Sequence, residues 1–377
     1  MLASCVKEQV AKDQEFSFIK FSGQSANTTG QDVKQLSDGS YVAIGTTANG
    51  SNGTDMYLTK FDKYGTEIWH KTYGGKNDQT GNSLQVLSDG SLILVGNTQL
   101  TDSVSNIFLV KTDANGDTSS NAGWTKTIGG LKRSMWAYNI QVTNTGFIIA
   151  GSYDTLGFRN DQIVLSDFNG NNLFFGNGKY INISKYNEEL SNAIELKGGG
   201  YLGIGYTNEN GLSEMYLRYY SADFYSSMYK TFGASAIADS GKSVKQLSDG
   251  NFICTYDSGS IIRVMKFSFD SVSAGFTPIW VKSYGTTTAS NDIQIVSGNE
   301  YAITGYQGNS SNTDNMLFMT IDGNGNKLNS QIYGVTGNQV GEKVIATKDG
   351  GFLIVGTNST LGVSEMALVK TKKDGGL

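Results

Sequence analysis

The chain has 377 residues, of which 34 are acidic and 29 are basic, for a net charge of −5 at neutral pH. Both signs are scattered along the sequence without a basic stripe, which argues against nucleic-acid binding, and no apolar stretch approaches the length of a membrane span. The 48 glycines indicate many tight turns. The single proline, Pro278, falls just before a predicted strand, where proline is tolerated.

The stretch from Asp32 to Gly75 shows the pattern that the rest of the chain repeats. It contains four short runs, DVKQL, YVAIGTT, MYLTKFD and EIWHKTY, which are separated by Asp-Gly, Gly-rich and Lys-Tyr-Gly turns. Runs of this length, rich in β-branched and aromatic residues between such turns, predict antiparallel strands joined as hairpins. Helix is disfavoured because no window carries a sustained period of 3.6 residues.

The second run of this unit recurs through the chain at intervals of roughly fifty residues. Its seven copies are Tyr41–Thr46, Leu92–Thr98, Phe147–Ser152, Tyr201–Thr207, Phe252–Tyr256, Tyr301–Tyr306 and Phe352–Thr357. Four strands in a repeat of about this length are typical of a propeller blade. The sequence therefore predicts an all-β fold, a seven-bladed β-propeller of four-stranded antiparallel blades.

The two ends of the chain predict how the ring closes. Residues 15–23 align without gaps on the fourth run, which places Phe18 on Trp69 and Gly23 on Gly74, whereas the seventh unit stops after its third run. The N-terminal strand would complete the last blade and leave no blade unfinished. We expect residues 15–377 to form one propeller and residues 1–14 to be a separate segment.

That N-terminal segment contains Leu2-Ala3-Ser4-Cys5, which resembles the lipobox of bacterial lipoproteins. The resemblance implies a lipid on Cys5, a polar tether over residues 6–14, and a location in the bacterial cell envelope as an outer-membrane or surface lipoprotein. The membrane would then be contacted through the lipid alone. The charged and apolar regions of a signal peptide do not precede the motif, and the alternative is a chance tetrapeptide in a frayed tail.

The repeat itself resembles propeller proteins of the Bacteroidetes type. The shared pattern is Asp-Gly followed by an aromatic and three apolar residues, then D-x-(Y/F)-L-x-K-x-D-x-x-G-x-x-x-W-x-K-T-Y-G-G, and it covers residues 15–377. The resemblance implies a surface or secreted lipoprotein and says almost nothing about activity.

Asp62, Gly65 and Trp69 also resemble the tryptophan-docking motif of quinoprotein dehydrogenase propellers, with one residue fewer between Asp and Gly. This more distant resemblance implies that Trp69, Trp124 and Trp280 dock neighbouring blades. The adjacent Cys-Cys pair and the calcium-ligating acids of that family have no counterpart in the sequence, so we expect no quinone and no other cofactor.

Candidate catalytic and metal-ligating residues are sparse. His70 is the one histidine, so a multi-His metal site is excluded, and its position on an outermost strand predicts a solvated side chain. Most acids, such as Asp38, fall at turns where Asp bonds the local backbone. Residues 113–116 and 322–326 weakly resemble calcium loops but lack the downstream Glu. We expect no metal site, while a glycosidase-like carboxylate pair stays open.

Departures from the repeat point to the third unit. Loops that join the fourth strand to the next blade, and the second strand to the third, share one propeller face around the channel. Most of these loops are Gly, Ser, Thr and Asn, but the third unit contributes Lys132, Arg133, Trp136, Tyr153, Phe158 and Arg159. Aromatic rings beside cations suit a sugar ring or an anionic group. The alternative is that the rings cap sheet edges and the charges are merely solvated.

The fourth unit adds an irregular insertion, residues 177–189, which contains Tyr180, Tyr186, Glu188 and Glu189. Two functions stay open. The first is a non-enzymatic, surface-anchored monomer that binds a glycan or a protein partner through this loop face. The second is a polysaccharide-active hydrolase or lyase with acids or tyrosines at the channel mouth. Scarce histidine and short loops favour the first; an inward-facing carboxylate pair about 5–10 Å apart, or an acid of raised pKa beside Arg159, would favour the second.

Overall fold

The structure is a computed structural model of the chain. It describes residues 16–23, 27–101, 103–119, 123–155, 157–173, 184–224, 226–233, 236–272, 275–296, 299–309, 313–334 and 336–377. Cys5 and the tether, as well as Tyr180 and most of the insertion around it, lie outside the described residues.

Seven antiparallel sheets make up the described chain, and their strands follow the sequence from the channel outward. The first strand, β1 (Phe18–Ser22), belongs to the last sheet. Blade 1 contains β2 (Asp32–Gln35), β3 (Tyr41–Ala48), β4 (Thr54–Phe61) and β5 (Glu67–Tyr73); blade 2 contains β6 (Gln79–Val86), β7 (Leu92–Thr101), β8 (Val104–Thr112) and β9 (Trp124–Ile128). Blade 3 contains β10 (Met135–Val142), β11 (Gly146–Thr155) and β12 (Phe158–Asp167); blade 4 contains β13 (Glu188–Glu195), β14 (Tyr201–Thr207), β15 (Glu214–Tyr220) and β16 (Ser227–Phe232). Blade 5 contains β17 (Asp239–Gln246), β18 (Phe252–Ser258), β19 (Ile261–Asp270) and β20 (Gly275–Tyr284); blade 6 contains β21 (Thr288–Val296), β22 (Glu300–Gly308), β23 (Asp314–Ile321) and β24 (Lys327–Tyr333). Blade 7 contains β25 (Asn338–Ala346), β26 (Phe352–Thr360) and β27 (Val363–Thr371), followed outward by β1.

Closure of the ring by the N-terminal strand is confirmed. β1 runs antiparallel to β27, with Phe18 opposite Lys370 and Ser22 opposite Met366. The seven predicted blades are present, six of them with four strands. In the described part of blade 3 the sheet has three strands, and Asn172 forms a bridge with Ser166 just beyond the third.

The nearly continuous apolar runs follow from how the blades pack. Along β3, Val42 and Ile44 face blade 2, whereas Tyr41 and Ala43 face blade 7. Each second strand is therefore buried on both faces and needs no polar alternation. Every such side chain that is fully removed from water contributes about 1.5–3 kcal/mol, so the core is distributed around the ring as seven inter-blade layers.

The predicted docking of blades by aromatic side chains is confirmed. Trp280 Nε1 donates a hydrogen bond to the Gly323 carbonyl at 3.2 Å, across the boundary between blades 5 and 6. At the equivalent boundary between blades 2 and 3, Gly170 has a φ of 75°, and a Cβ there would lie 2.4 Å from the Trp124 ring. Glycine is required at this turn both for its backbone conformation and for the close approach of the ring.

The position of Pro278 differs from the prediction. β20 begins at Gly275, so Pro278 lies inside the strand instead of before it. It pairs with Phe267, next to a register shift between Lys266 and Phe267. Because β20 is an outermost strand and the ladder is already interrupted there, the missing N–H of proline is accommodated.

The first strands of the blades surround the central channel and run along it in the same direction. Their starts therefore share one end of the ring, the loop face, which carries Trp136 and Glu189. Their Asp-Gly turns share the other end, the turn face. Asp38 has the predicted turn role there, since its Oδ1 accepts the Ser40 N–H at 2.9 Å. In the described part of the chain there is no helix of the length and apolarity needed to cross a bilayer.

Candidate functional site

The loop face of blades 3 and 4 carries a cluster of four side chains, Trp136, Arg159, Glu189 and Tyr206. The Arg159 guanidinium carbon lies 4.2 Å from the centroid of the Trp136 ring. Arg159 Nη1 donates to Glu189 Oε1 at 2.6 Å, and Tyr206 Oη donates to the same oxygen at 2.7 Å. Blade 3 contributes Trp136 from β10 and Arg159 from β12. Blade 4 contributes Glu189 from β13 and Tyr206 from β14. We call these four residues the loop-face cluster.

Arg159 is held in place yet stays accessible. Its side chain is 40% exposed, whereas that of Glu189 is largely buried. Burial alone would lower the pKa of Arg159, but the hydrogen bond and charge of Glu189 outweigh it and raise the pKa, so the guanidinium remains charged. Among the described residues, Glu189 accepts the one hydrogen bond that this guanidinium donates. Its other N–H groups can therefore donate to a ligand.

Two tyrosines, Tyr206 of the loop-face cluster and Tyr138 beside it, remain protonated. Burial raises the pKa of Tyr206 above its usual range, and its hydrogen bond to Glu189 raises it further. Burial also raises the pKa of Tyr138, with the Glu189 charge adding to the effect, and its hydroxyl lies 3.3 Å from Ser152 Oγ. Both hydroxyls keep their proton at neutral pH.

A carboxyl group of raised pKa also lies beside Arg159. Asp154 of β11 is the register partner of Arg159 in β12. Burial raises the pKa of Asp154, the Arg159 charge opposes this, and the Glu189 charge adds to it. An acid of raised pKa beside Arg159 is one of the two features expected to favour an enzyme.

The other residues predicted for the site have different surroundings. Lys132 and Arg133 are exposed in the turn that leads into β10, where Arg133 forms an isolated bridge with Gly130. Phe158 is 38% exposed at the start of β12. Tyr153 is only 8% exposed and packs in the core between blades 2 and 3. The structure therefore brings Trp136 and Arg159 into contact, leaves three residues at the rim, and places Tyr153 in the core.

Sequence reasoning missed Tyr206, although its position in the repeat gives a signal. In four other blades the equivalent residue accepts the backbone N–H of the next blade: Thr46 from Gly81, Asn97 from Ala137, Asp257 from Ser290 and Thr357 from Gly30, over 2.8–3.2 Å. Tyr206 instead donates to Glu189 of its own blade. Comparison of equivalent positions shows a tyrosine in place of a shorter acceptor in blades 4 and 6, at Tyr206 and Tyr306, but only the structure shows that Tyr206 bonds to Glu189.

Directly beneath the loop-face cluster lies a buried ionic cluster of Asp161, Glu188, Arg218 and Tyr220. Arg218 Nη1 lies 3.2 Å from Asp161 Oδ1 and 3.4 Å from Glu188 Oε2, and Tyr220 donates to Asp161. Burial raises the pKa of Glu188 to about 7; the charge of Asp161 and a hydrogen bond between the two carboxyl groups add to the rise, against the attraction of Arg218. Glu188 therefore takes up and releases its proton close to neutral pH, beside the charges of Asp161 and Arg218.

This buried ionic cluster replaces ordinary core residues. The residues equivalent to Asp161 are buried and apolar, namely Met56, Ile107, Met215, Ile262, Met316 and Met366. Those equivalent to Arg218 are Thr59, Val110, Val164, Met265, Met319 and Val369, all buried. Charges in a core are stabilising only while each is paired, so the contact between blades 3 and 4 depends on the whole set.

The weaker sequence candidates have local roles. His70 is exposed and its Nδ1 lies 2.6 Å from Glu67 Oε1. Asp322 accepts the backbone N–H groups of Asn324 and Asn326 at 2.9 and 2.8 Å, as a turn residue does. Within the described ranges, no three His, Cys, Asp or Glu side chains come together in a way that could hold a metal ion.

Comparisons with protein-family models and with curated protein sequences find no match. Solved structures are similar in fold. The periplasmic gluconolactonase PpgL of Pseudomonas aeruginosa aligns with a TM-score of 0.55 at 9% identity, over 89% of this chain and 97% of its own. A protein from Lactobacillus plantarum aligns with a TM-score of 0.50 at 10% identity, over 85% of this chain and 92% of its own. At these identities the likeness shows the fold, and function has to be argued from the site.

Proposed function

We propose that this protein is a non-enzymatic, surface-anchored binding propeller that holds an acidic glycan on the loop face of blades 3 and 4. The observation that carries the proposal is Arg159, which is stacked on Trp136 and fixed by Glu189 with further N–H donors open. A guanidinium positioned in advance loses little freedom when it binds a carboxylate in bidentate fashion, and this favours affinity.

The surroundings of the loop-face cluster suit the rest of such a ligand. Phe158 offers an exposed ring on which a sugar could stack, and the Tyr138 and Tyr206 hydroxyls can exchange hydrogen bonds with sugar hydroxyls. Lys132 and Arg133 add positive charge at the rim, which would attract an acidic polymer. A protein partner is the competing occupant of this surface.

Attachment to the cell envelope is the second part of the proposal, and it is supported by the lipobox-like Leu2-Ala3-Ser4-Cys5. A lipid on Cys5 would anchor the ring through the tether and present it at an outer-membrane surface as a monomer. The test is expression of the chain behind a lipoprotein signal with labelled fatty acid. We expect label in the wild type and none in Cys5→Ala, whereas label in neither protein would contradict anchoring.

Glycan binding is tested on an array that holds uronate-containing and neutral oligosaccharides. We expect binding of the uronate-containing set, weakened about tenfold in Arg159→Lys, which keeps the charge but loses the planar fork. Trp136→Ala should weaken binding as well, because it removes the support of the guanidinium. Lys327→Gln, on the exposed outermost strand β24, is the matched control. Array binding that neither Arg159→Lys nor Trp136→Ala changes would rule out this surface.

The raised pKa of Asp154 beside Arg159 favours a second candidate, a polysaccharide lyase or hydrolase at the same surface. There Arg159 would neutralise a uronate carboxylate, and a protonated Asp154 or Tyr138 would move a proton at the reacting sugar. Product analysis on any glycan that binds separates the two functions. Released oligosaccharide that disappears in Asp154→Asn, with binding retained, would establish the enzyme; intact glycan after long incubation supports the binding module.

A further inference from the structure

A second site lies in the central channel, at the end opposite the loop-face cluster. A cavity of about 720 Å³ opens at the turn face, between the inner strands and the adjoining turns of blades 2 and 3. Its lining includes Lys34, Lys245, Lys343, Gln85, Gln141 and Gln294. This cavity lies beside the second halves of the inner strands, whereas Trp136 and Glu189 lie at their beginnings. The two sites are therefore separate.

The three lysines share two buried carboxylates. Lys34 Nζ lies 2.6 Å from Asp32 Oδ1. Lys343 Nζ lies 3.2 Å from Asp292 Oδ1, and Lys245 Nζ lies 3.7 Å from the same oxygen. One positive charge in this layer consequently has no carboxylate of its own. In the cavity lining as a whole, Lys111 and Asp89 add one further charge of each sign, so the excess of one positive charge is unchanged.

The excess charge lies on one side of the channel. Blades 5, 7 and 1 contribute Lys245, Lys343 and Lys34, and blades 1 and 6 contribute the two buried aspartates, while blades 2 and 3 contribute Gln85, Gln141 and Asn139. Lys111 of blade 2 is balanced by Asp89 of the same blade. Asn139 is 8% exposed and lines the cavity, and its Oδ1 accepts no hydrogen bond among the described residues. The three lysines therefore face amide side chains across the channel. One of these, Asn139, has an Oδ1 that accepts no hydrogen bond from the described residues.

We propose that the turn-face end of the channel binds a small hydroxylated anion, with its carboxylate or phosphate group on Lys34, Lys245 and Lys343 and its hydroxyls on the amides across the channel. The cavity volume is within the range of about 300–1,000 Å³ that small-molecule sites occupy. The amide side chains and the Oδ1 of Asn139 supply donors and acceptors for hydroxyl groups.

The repeat itself shows that Lys245 is not needed to close the ring. At the equivalent position blades 2, 3 and 6 have Gln85, Gln141 and Gln294, and these blades form the same inner strand with an uncharged side chain. A lysine there adds a buried charge without a structural requirement. Burial lowers the pKa of Lys245 to about 8, and the repulsion of Lys343 and Lys34 adds to this against the attraction of Asp292. A bound anion would offset this repulsion and stabilise the charged form of Lys245.

The same equivalence supplies the variants for a test. The affinity of the full chain for citrate and for inorganic phosphate is measured by calorimetric titration at a fixed ionic strength of about 0.1 M. Sorbitol, which has hydroxyl groups but no charge, is titrated as the uncharged comparison. Lys245→Gln installs the residue of three other blades and should weaken anion binding about tenfold. Gln294→Lys adds a further lysine to the inner strands and should tighten anion binding. Lys327→Gln, an identical change of charge on β24, should leave it unchanged.

Citrate binding without phosphate binding would identify a carboxylate ligand, the reverse a phosphate ligand, and both outcomes support the channel site. Failure of the wild type to bind either anion, or equal affinity in Lys245→Gln and wild type, would overturn it. Trp136→Ala separates this inference from the proposed function, because it should weaken glycan binding and leave anion binding unchanged. Loss of anion binding in Trp136→Ala would also contradict a separate channel site.

Discussion

Two contacts between neighbouring blades show different ways of joining the ring. Between blades 1 and 2 the contact is apolar, with Ile44 and Met56 packed against Leu94 and Val110. Between blades 3 and 4 the equivalents of two core residues are Asp161 and Arg218, joined by the buried Glu188. The first arrangement is what the repeat encodes and serves stability. The second departs from the repeat directly beneath the loop-face cluster, which indicates that this boundary was shaped by a further requirement.

The largest effect should come from breaking the buried ionic cluster. Arg218→Met installs the residue that blades 5 and 6 have at this position, Met265 and Met319, and leaves Asp161 and Glu188 without a cation. We expect the free energy of unfolding to fall by about 3–5 kcal/mol in denaturant titrations, because uncompensated buried charge is costly.

Restoring the repeat at all three positions provides the control. Asp161→Ile, Glu188→Gln and Arg218→Met together match residues at equivalent positions, Ile107, Gln79 and Met265. The triple variant should be as stable as the wild type or more stable, by up to about 4 kcal/mol, because packed apolar residues commonly replace buried ion pairs without loss. A triple variant as unstable as Arg218→Met would show that these charges are not interchangeable with the ordinary core.

The next largest effect concerns the docking of blades 2 and 3 by Trp124. Gly170→Ala places a methyl group at a φ of 75°, and that group would approach the Trp124 ring to 2.4 Å. Gly39→Ala places one at a φ of 88° in open space. The backbone conformation alone costs about 1–2 kcal/mol in both variants. Thermal or chemical unfolding should show a greater loss for Gly170→Ala, and equal losses would mean that the Trp contact contributes little.

The two contacts should also differ in their response to pH. Glu188 keeps its proton in the folded chain up to a pKa of about 7, whereas in the unfolded chain a glutamate loses it near 4.5. Between these values Glu188 binds more protons in the folded state, so its contribution to stability is largest below pH 4.5 and is lost as the pH rises through 7. Unfolding free energies measured from pH 5 to 8 should fall less steeply in Glu188→Gln.

Glu342 must be separated from this effect, because burial raises its pKa to about 7 too, against the attraction of Lys242. It lies on the inner strand β25, away from the boundary between blades 3 and 4. The free energy of unfolding of the double variant Glu188→Gln, Glu342→Gln should therefore depend less on pH than that of either single variant. If Glu188→Gln has the wild-type slope, Glu188 does not hold its proton at neutral pH.

The difference between the two contacts also explains what sequence could and could not predict. Blade number, strand order and the pairing of Phe18 with the last blade follow from repetition, because each copy reports the same hydrophobic pattern independently. The contact of Trp136 with Arg159 required knowing that two loops of one blade share a face, and that much was predictable. The hydrogen bonds that Arg159 and Tyr206 donate to Glu189 could not be predicted, because they depend on side-chain direction and one of them crosses between blades.

The buried ionic cluster was harder still to predict. An Asp or Arg within a predicted strand is usually interpreted as solvent-exposed. The burial of Asp161 and Arg218 could be inferred only by comparing them with the equivalent buried residues of other blades, such as Met56 and Thr59. The channel site has the same origin. Lys34, Lys245 and Lys343 lie far apart in sequence, and the ring brings them around one cavity. Repetition predicts the scaffold well; the functional candidates are the exceptions to it.

The smallest predicted effect concerns the repeat position of Thr46 and Tyr206, which has a different role at each of the two contacts. Thr46 Oγ1 accepts the Gly81 N–H at 3.1 Å and links blades 1 and 2, while its equivalent Tyr206 donates to Glu189 at 2.7 Å. Thr46→Val leaves a backbone N–H without its partner and should cost about 0.5–1.5 kcal/mol of unfolding free energy. Tyr206→Phe leaves no buried backbone group unpaired, so it should change stability less and instead weaken glycan binding, since Glu189 then loses a group that fixes it beside Arg159. Denaturation and array binding measured on both variants check this, and a Tyr206→Phe protein that is destabilised like Thr46→Val but binds normally would assign the position a structural role in both blades.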